Sequence, residues 1–246
     1  MISKQKISLL NSLAKKKFRD QHQRYLLEGV KIVQTVLKAN PETVEDIFLL
    51  PEWVETFQSH ISKCTTIDSK VLKKISNHKN PGGVVAVAKI HPPELMESKS
   101  HVKLSVFLDG VQDPGNVGTI IRSCDWYGIE CLFLGDGCAD LYNSKVIQAT
   151  MGSHVGIDIF SMDFEEVLDF LKPEIIIGAD MEGSTSYKPI EKSTLLCIGS
   201  EGQGLSPRIR KACDSFLTVK GRVDKLAESL NAGIVTAILL DRFNAL

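Results

Sequence analysis

The sequence predicts an α/β fold in two parts, a small α/β module followed by a larger unit built on a parallel sheet. Three observations carry that expectation. From residue 104 onward, short apolar runs alternate with helix-periodic segments, the pattern of parallel strands joined by covering helices. Pro92-Pro93 and the polar, charged residues after them in KIHPPELMESKSH break the chain at residues 93–103, a linker composition. Ahead of that break, residues 1–92 carry helices and strands of their own, a length sufficient for an independent core.

Along the chain, GVKIVQTVLKAN reads as an amphipathic helix, VEDIFLL as a strand and DSKVLKKISN as a short helix. GGVVAVAKI closes the first module as a strand after the Pro81-Gly82-Gly83 turn. Beyond the linker, Val102, Leu104, Val106, Phe107 and Leu108 form a buried-type strand bounded by turn residues. In the helix that follows, Val117, Ile120, Ile121 and Cys124 obey the i, i+3, i+4, i+7 rule and Gly128 supplies a stop. The alternation continues through ECLFLG, a helix at SKVIQATMG, VGIDIF, a helix at DFEEVLDFLK, EIIIGAD, LLCIGS, a helix, SFLTVKG and a final helix from Ser229.

At 246 residues, 43% apolar and 24% charged, the composition is that of an ordinary globular protein of one or two domains. No apolar run reaches bilayer length, and MISKQKISLLNSLAKKK lacks a signal-peptide core, so a cytoplasmic protein without a membrane partner is expected. None of the six cysteines stands in a CxxC pair, and they read as reduced packing residues. No His or Cys set has ligand spacing, so no metal is expected. The formal net charge of −1 argues against a uniformly basic nucleic-acid binder. Its distribution is uneven, with nine Lys or Arg against two acids in residues 1–40. Such a patch, here including Lys15, Lys16, Lys17, Arg19 and Arg24, is either a solvated helix face or the footprint of a polyanion.

Three stretches carry chemistry. DPGNVGTIIR, residues 113–122, joins a strand to a helix whose single cation, Arg122, falls off the apolar stripe. In open α/β sheets that is where ligands are held. LLCIGSEGQGLS, residues 195–206, ends a buried strand in Gly199, and Gly202 and Gly204 permit a tight turn or close approach to a ligand. It contains neither GxxxxGK[ST] nor GxGxxG, and Glu201 within it repels phosphate but suits a ligand with amines, hydroxyls or a positive centre. ESLNAGIVTAILL, residues 228–240, offers Ser229 as an N-cap and Asn231 on the first turn of the last helix. Taken singly, a glycine turn and a capped, packed helix explain the last two stretches without any ligand.

Together, in this order, the three stretches resemble the motifs of the SpoU (TrmH) family of RNA ribose 2'-O-methyltransferases, within the SPOUT class. The resemblance covers residues 104–246 closely. Over the first 90 residues, YLLEGVKIVQTVLKA and NPGGVVAVAKI are similar to the substrate-binding domain, related to ribosomal protein L30e, of the rRNA-modifying branch. It implies S-adenosylmethionine as cofactor, a C-terminal trefoil knot, a homodimer and structured RNA as partner, with 23S rRNA favoured over tRNA. By the same resemblance, Asn116, Arg122, Glu201, Ser229 and Asn231 are the catalytic residues. Leu196, Ile198, Gly199, Gly202, Gly204, Val219 and Leu230 surround the cofactor, and Lys15, Lys16, Lys17, Arg19 and Arg24 contact RNA. Arg122 is the family's motif arginine; since guanidinium is effectively always protonated, positioning and phosphate contact suit it better than proton acceptance. Gly115 stands where relatives often carry His, Val219-Lys220 where they carry Ile-Pro, and GRVDKLAESLN is slightly lengthened. Two other readings stay open: a catalytically silent RNA-binding protein of this fold, and a nicotinamide-dependent oxidoreductase, against which the missing GxGxxG argues.

Overall fold

A computed structural model of the chain describes residues 2–93 and 102–244. Residues 94–101, most of the expected linker, lie outside the described residues. The chain forms two compact units, one of Met1–His91 with Asp140–Val155, the other of Pro92–Ala139 with Gly156–Leu246.

The first unit runs α1 (Lys4–Ser12), α2 (Lys16–His22), β1 (Arg24–Glu28), α3 (Val30–Ala39), β2 (Val44–Leu49), β3 (Cys64–Thr66), α4 (Ser69–Ile75) and β4 (Val84–Lys89). Its sheet has the order β1-β4-β2-β3, with β4 antiparallel to both neighbours and β3 parallel to β2. Strand alternation sorts its side chains between two cores. Tyr25, Leu27, Val84, Ala86 and Ala88 meet the stripe Ile32, Val33, Val36 and Leu37 of α3. Leu26, Phe48, Val85 and Val87 meet Leu10 and Leu13 at α1 and Leu72 and Ile75 of α4.

The second unit runs β5 (Leu104–Asp109), α5 (Pro114–Trp126) and β6 (Cys131–Leu134); α6 (Ser144–Thr150) follows in sequence. Then come β7 (Asp158–Ser161), α7 (Phe164–Leu171), β8 (Ile175–Ser184), β9 (Thr194–Gly199), α8 (Pro207–Ala212), β10 (Ser215–Leu217) and α9 (Ala232–Asn244). The six-stranded sheet has the order β10-β8-β9-β5-β6-β7, and every pairing is parallel. One core joins Phe107, Phe133, Phe160, Leu195 and Cys197 to Phe164, Val167 and Leu171 of α7 and Ile209 of α8. Helix α5 buries the predicted stripe of Val117, Ile120, Ile121 and Cys124 and stops before Gly128, whose φ is 71°. None of the six cysteines is in a disulfide. Among the described residues no helix is long and apolar enough to cross a membrane, and no cluster of His, Cys, Asp or Glu could hold a metal ion.

Helix α6 and its flanks belong to the first unit although they lie between β6 and β7 in sequence. Ile147 is buried in the α3 core, with Tyr142, Met151 and Val155 packed on it. The Tyr25 hydroxyl lies 2.8 Å from His154 Nε2, and Thr150 Oγ1 lies 3.2 Å from His154 Nδ1. Burial pulls the His154 imidazole down to about 4, so it is neutral near pH 7. Between pH 6.5 and 4 the unfolded chain therefore binds more protons than the folded one, and stability falls as pH falls through that window. The loss attributable to His154 is at most about 3 kcal/mol. Urea denaturation at pH 5 and pH 7.5 is expected to show it, and His154→Gln to flatten that slope; an unchanged slope in the variant assigns it elsewhere.

Candidate active site

The three motif stretches converge within the second unit. Helix α5 begins at Asp113-Pro114: the Asp113 carboxylate accepts from the Asn116 backbone nitrogen at 2.9 Å, and proline occupies the first helical turn. Gly115 sits in that same turn. The strand β9 register sets Gly199 opposite Asp109 at the end of β5. Beyond it the chain folds back at once, since Ser200 and Gly204 exchange backbone hydrogen bonds of 3.2 and 2.8 Å. Gly204 takes a φ of 68°. At Gly199 a Cβ would lie 2.2 Å from the Gly204 carbonyl carbon and 2.4 Å from the Leu205 nitrogen, so the fold-back requires glycine there. Gly199→Ala is therefore expected to weaken binding of a ligand at this turn at least tenfold. Titration calorimetry with S-adenosylmethionine checks it, and affinity within twofold of the parent chain counts against a turn-borne site.

The polar centre is a chain of amides whose orientation is fixed from one end. Asn231 Oδ1 accepts from the backbone nitrogens of Gly233 at 2.9 Å and Ile234 at 3.2 Å, capping α9. Its Nδ2 must then face outward, and it donates to Asn116 Oδ1 at 2.6 Å. That turns Asn116 Nδ2 toward Glu201 Oε1, 2.7 Å away. Glu201 Oε1 also accepts from the Ala232 nitrogen at 3.3 Å. A helix cap thus dictates, through two asparagines, that residue 201 present an acceptor. One residue from each motif meets here.

The cap corrects the sequence expectation. Helix α9 starts at Ala232 rather than at Ser229, and Asn231 is its cap rather than part of its first turn. Ser229 is exposed and makes no hydrogen bond to any described residue. Arg122 is also exposed and unpaired among the described residues, a cation free to meet an anion.

Of the expected cofactor residues, Leu196 and Ile198 are fully buried core side chains of β9. Gly202 is open around its Cβ position and Val219 is half-buried. Leu230 is 43% exposed on the loop before α9, where Val223 and Leu226 are exposed as well. Asp109 and Asp113 were missing from the expected set. Asp109 Oδ2 accepts from the Ser206 nitrogen at 2.5 Å and so ties the glycine turn to β5. The Asp-Pro pair at the head of α5 was a legible capping signal; the Asp109 bond, 97 residues distant, was not.

In the first unit, two of the five expected RNA-contacting residues are engaged internally. Arg19 is 5% exposed and donates to the carbonyls of Leu13 and Ala14, both at 3.0 Å, and to Asp140 at 2.7 Å. Arg24 forms a two-pronged pair with Glu45, which holds its guanidinium charged. Lys15, Lys16 and Lys17 are exposed, Lys16 lying 3.6 Å from Asp140.

Sequence and structure comparisons relate the chain to known proteins. A sequence model of the SpoU rRNA Methylase family matches residues 103–241, and one of the MRM3-like substrate binding domain matches residues 4–86. The chain is 31% identical to the 23S rRNA (guanosine(2553)-2'-O)-methyltransferase RlmP of Bacillus subtilis, covering 96% of this chain and 94% of that protein. It is 27% identical to mitochondrial rRNA methyltransferase 3 of Xenopus laevis across 76% of this chain and 48% of that longer protein. Among solved structures it is similar to a putative RNA methyltransferase of the TrmH family from Porphyromonas gingivalis, at a TM-score of 0.83 and 30% identity over 99% of this chain and 98% of the other. The AdoMet-bound rRNA methyltransferase of Sinorhizobium meliloti shares the fold, at a TM-score of 0.85 and 24% identity over 100% of this chain and 96% of the other.

Proposed function

Because the chain belongs to the SpoU rRNA methylase family, we propose that it transfers a methyl group from S-adenosylmethionine to a ribose 2'-hydroxyl of ribosomal RNA. The observation that carries this reading is the hydrogen-bonded line Glu201–Asn116–Asn231, which unites the three motifs of a family of that chemistry. The residues fit an adenosyl cofactor. The turn after β9 supplies backbone polar groups, Gly202 leaves it open, and the carboxylate of Glu201 disfavours a phosphate there. When bound, the cofactor's sulfonium supplies an electrophilic methyl group.

The protein's own residues have three tasks. The glycine turn and the loop 219–230 hold the donor. Exposed Arg122 meets the phosphate beside the target ribose and orients its hydroxyl for in-line approach. The amide chain fixes where Glu201 stands. In the first unit, Lys15, Lys16 and Lys17 supply sequence-independent attraction to RNA, and Arg19 and Arg24 serve structure instead.

The proposal extends to a trefoil knot and a homodimer. Strand β10 lies at the sheet edge beside β8, yet α9 packs on α5, so the chain recrosses the ends of β8 and β9. That return supports the knot. Trp126 on α5 and Ile234 on α9 are 82% and 49% exposed, which supports a second copy covering them. Light scattering showing an active monomer removes the dimer.

The test is transfer of isotopic label from S-adenosylmethionine into unmodified rRNA and, separately, unmodified tRNA, followed by alkaline hydrolysis, which a 2'-O-methylated ribose resists. Alkali-resistant label in rRNA, lost with Arg122→Ala, is the expected result. Label in tRNA alone replaces the substrate class. Cofactor and RNA binding without label in either RNA favours the silent RNA-binding reading.

A further inference from the structure

The ribose 2'-hydroxyl must lose a proton as the methyl group arrives, and Arg122, always protonated, has nowhere to put it. We propose that the free oxygen of the Glu201 carboxylate, Oε2, is the proton acceptor of methyl transfer. The inference rests on the ribose-methylation reading and assigns its missing step.

The geometry points to Glu201 for three reasons. It is the only member of the polar line whose side chain is a Brønsted base, since Asn116 and Asn231 are amides. Its two oxygens have separate duties: Oε1 accepts from Asn116 Nδ2 at 2.7 Å and from the Ala232 nitrogen at 3.3 Å, whereas Oε2 has no partner among the described residues. A proton on Oε2 leaves both Oε1 bonds in place, so the acceptor cycles without disturbing the cap of α9. Glu201 is also exposed, so water can collect the proton after the reaction. Asp109 and Asp113 at the neighbouring strand end are each tied to a backbone nitrogen that holds a turn, and neither joins the amide line.

The step balances. The ribose oxygen forms a bond to the methyl carbon as the carbon–sulfur bond breaks. Its electron pair returns to sulfur, which becomes a neutral thioether, and the hydroxyl proton passes to Glu201 Oε2.

Glu201→Gln isolates the proposal in the full-length protein, because the amide oxygen can still accept both Oε1 bonds while the amide nitrogen cannot accept a proton. Under single-turnover conditions with saturating S-adenosylmethionine and the RNA that the parent chain methylates, the rate is expected to fall at least about a hundredfold. Dissociation constants for S-adenosylmethionine and RNA should stay within about threefold of the parent. Glu201→Asp keeps an acceptor and should fall between the two, which also covers a Gln variant that fails to fold. A Gln variant within about threefold of the parent rate overturns the proposal. So does one that loses affinity for S-adenosylmethionine but recovers its rate at saturation, since Glu201 would then be holding the sulfonium. A parent chain that methylates no RNA overturns the ribose reading itself, a result visible before any variant is made.

Discussion

Asn116→Asp is expected to reduce methyl transfer at pH 8 at least about a hundredfold. The substitution is isosteric and alters one group: the Nδ2 that donates to Glu201 across 2.7 Å becomes an oxygen. Asn231 cannot adapt by turning its amide over, because its Oδ1 is committed to the Gly233 and Ile234 nitrogens. The introduced carboxylate must keep one oxygen toward Asn231 Nδ2 and present the other to Glu201. Two carboxylates at that distance repel, which displaces Glu201 from the place the amide line gives it and raises the pair's upper titration above the unfolded value. A raised carboxylate binds protons better in the folded state, so the stability deficit is greatest at high pH and shrinks as pH falls. Glu201 is exposed, which limits the deficit to about 1 kcal/mol. Thermal melts of parent and variant at pH 8 and pH 5.5 should converge toward the lower pH, while activity should not return, because a proton taken up by the pair at the lower pH occupies the carboxylate that has to receive one. Transfer within about threefold of the parent at pH 8 removes the amide line from the chemistry.

How the site could be read in advance depends on where each constraint lies in the sequence. The strand before Asp109 and the helix after Asp113 are local: an apolar run ends in turn residues, and an Asp-Pro pair with a 3.6-residue stripe starts the helix. The parallel sheet follows from the alternation of such units. Within SLNAG, by contrast, Ser229 and Asn231 are both good caps by type, and only the positions of Asn116 and Glu201, 115 and 30 residues earlier, select the asparagine. The family resemblance implies Leu196 and Ile198 as cofactor neighbours, and both are buried in β9, a central strand whose two faces are core. Arg19 and Arg24 stand in a basic run, and a charge run by itself does not reveal which members have acidic partners. Glu45 lies 21 residues from Arg24, and Asp140 lies 121 residues from Arg19.

A fragment ending at Pro92, the boundary that composition suggests, is expected not to form the native first unit. The fragment is long enough for a core, but it lacks Asp140–Val155, which the unit contains. Without that segment the guanidinium of Arg19, 5% exposed, loses Asp140 and retains only two carbonyls. A lost hydrogen bond between charged groups costs about 2 kcal/mol. Ile147 leaves the α3 core, removing the burial of one large aliphatic side chain, about 2 kcal/mol. The Tyr25 ring loses both Tyr142, at a centroid distance of 4.7 Å, and His154, which partners its hydroxyl. Together these terms rival the whole stability of a small domain, about 5 kcal/mol at the low end. The expected result is a poorly dispersed amide spectrum and a melt at least 15 °C below that of the same fragment joined to residues 140–155 by a flexible linker, at about 4–8 °C per kcal/mol for this size. Equal cooperative melts, within about 5 °C, make the segment a passenger. A rescued fusion instead makes 140–155 a structural part of the first unit, so that substitutions such as Asp140→Ala should be scored first as stability changes in that unit and only then as effects on catalysis.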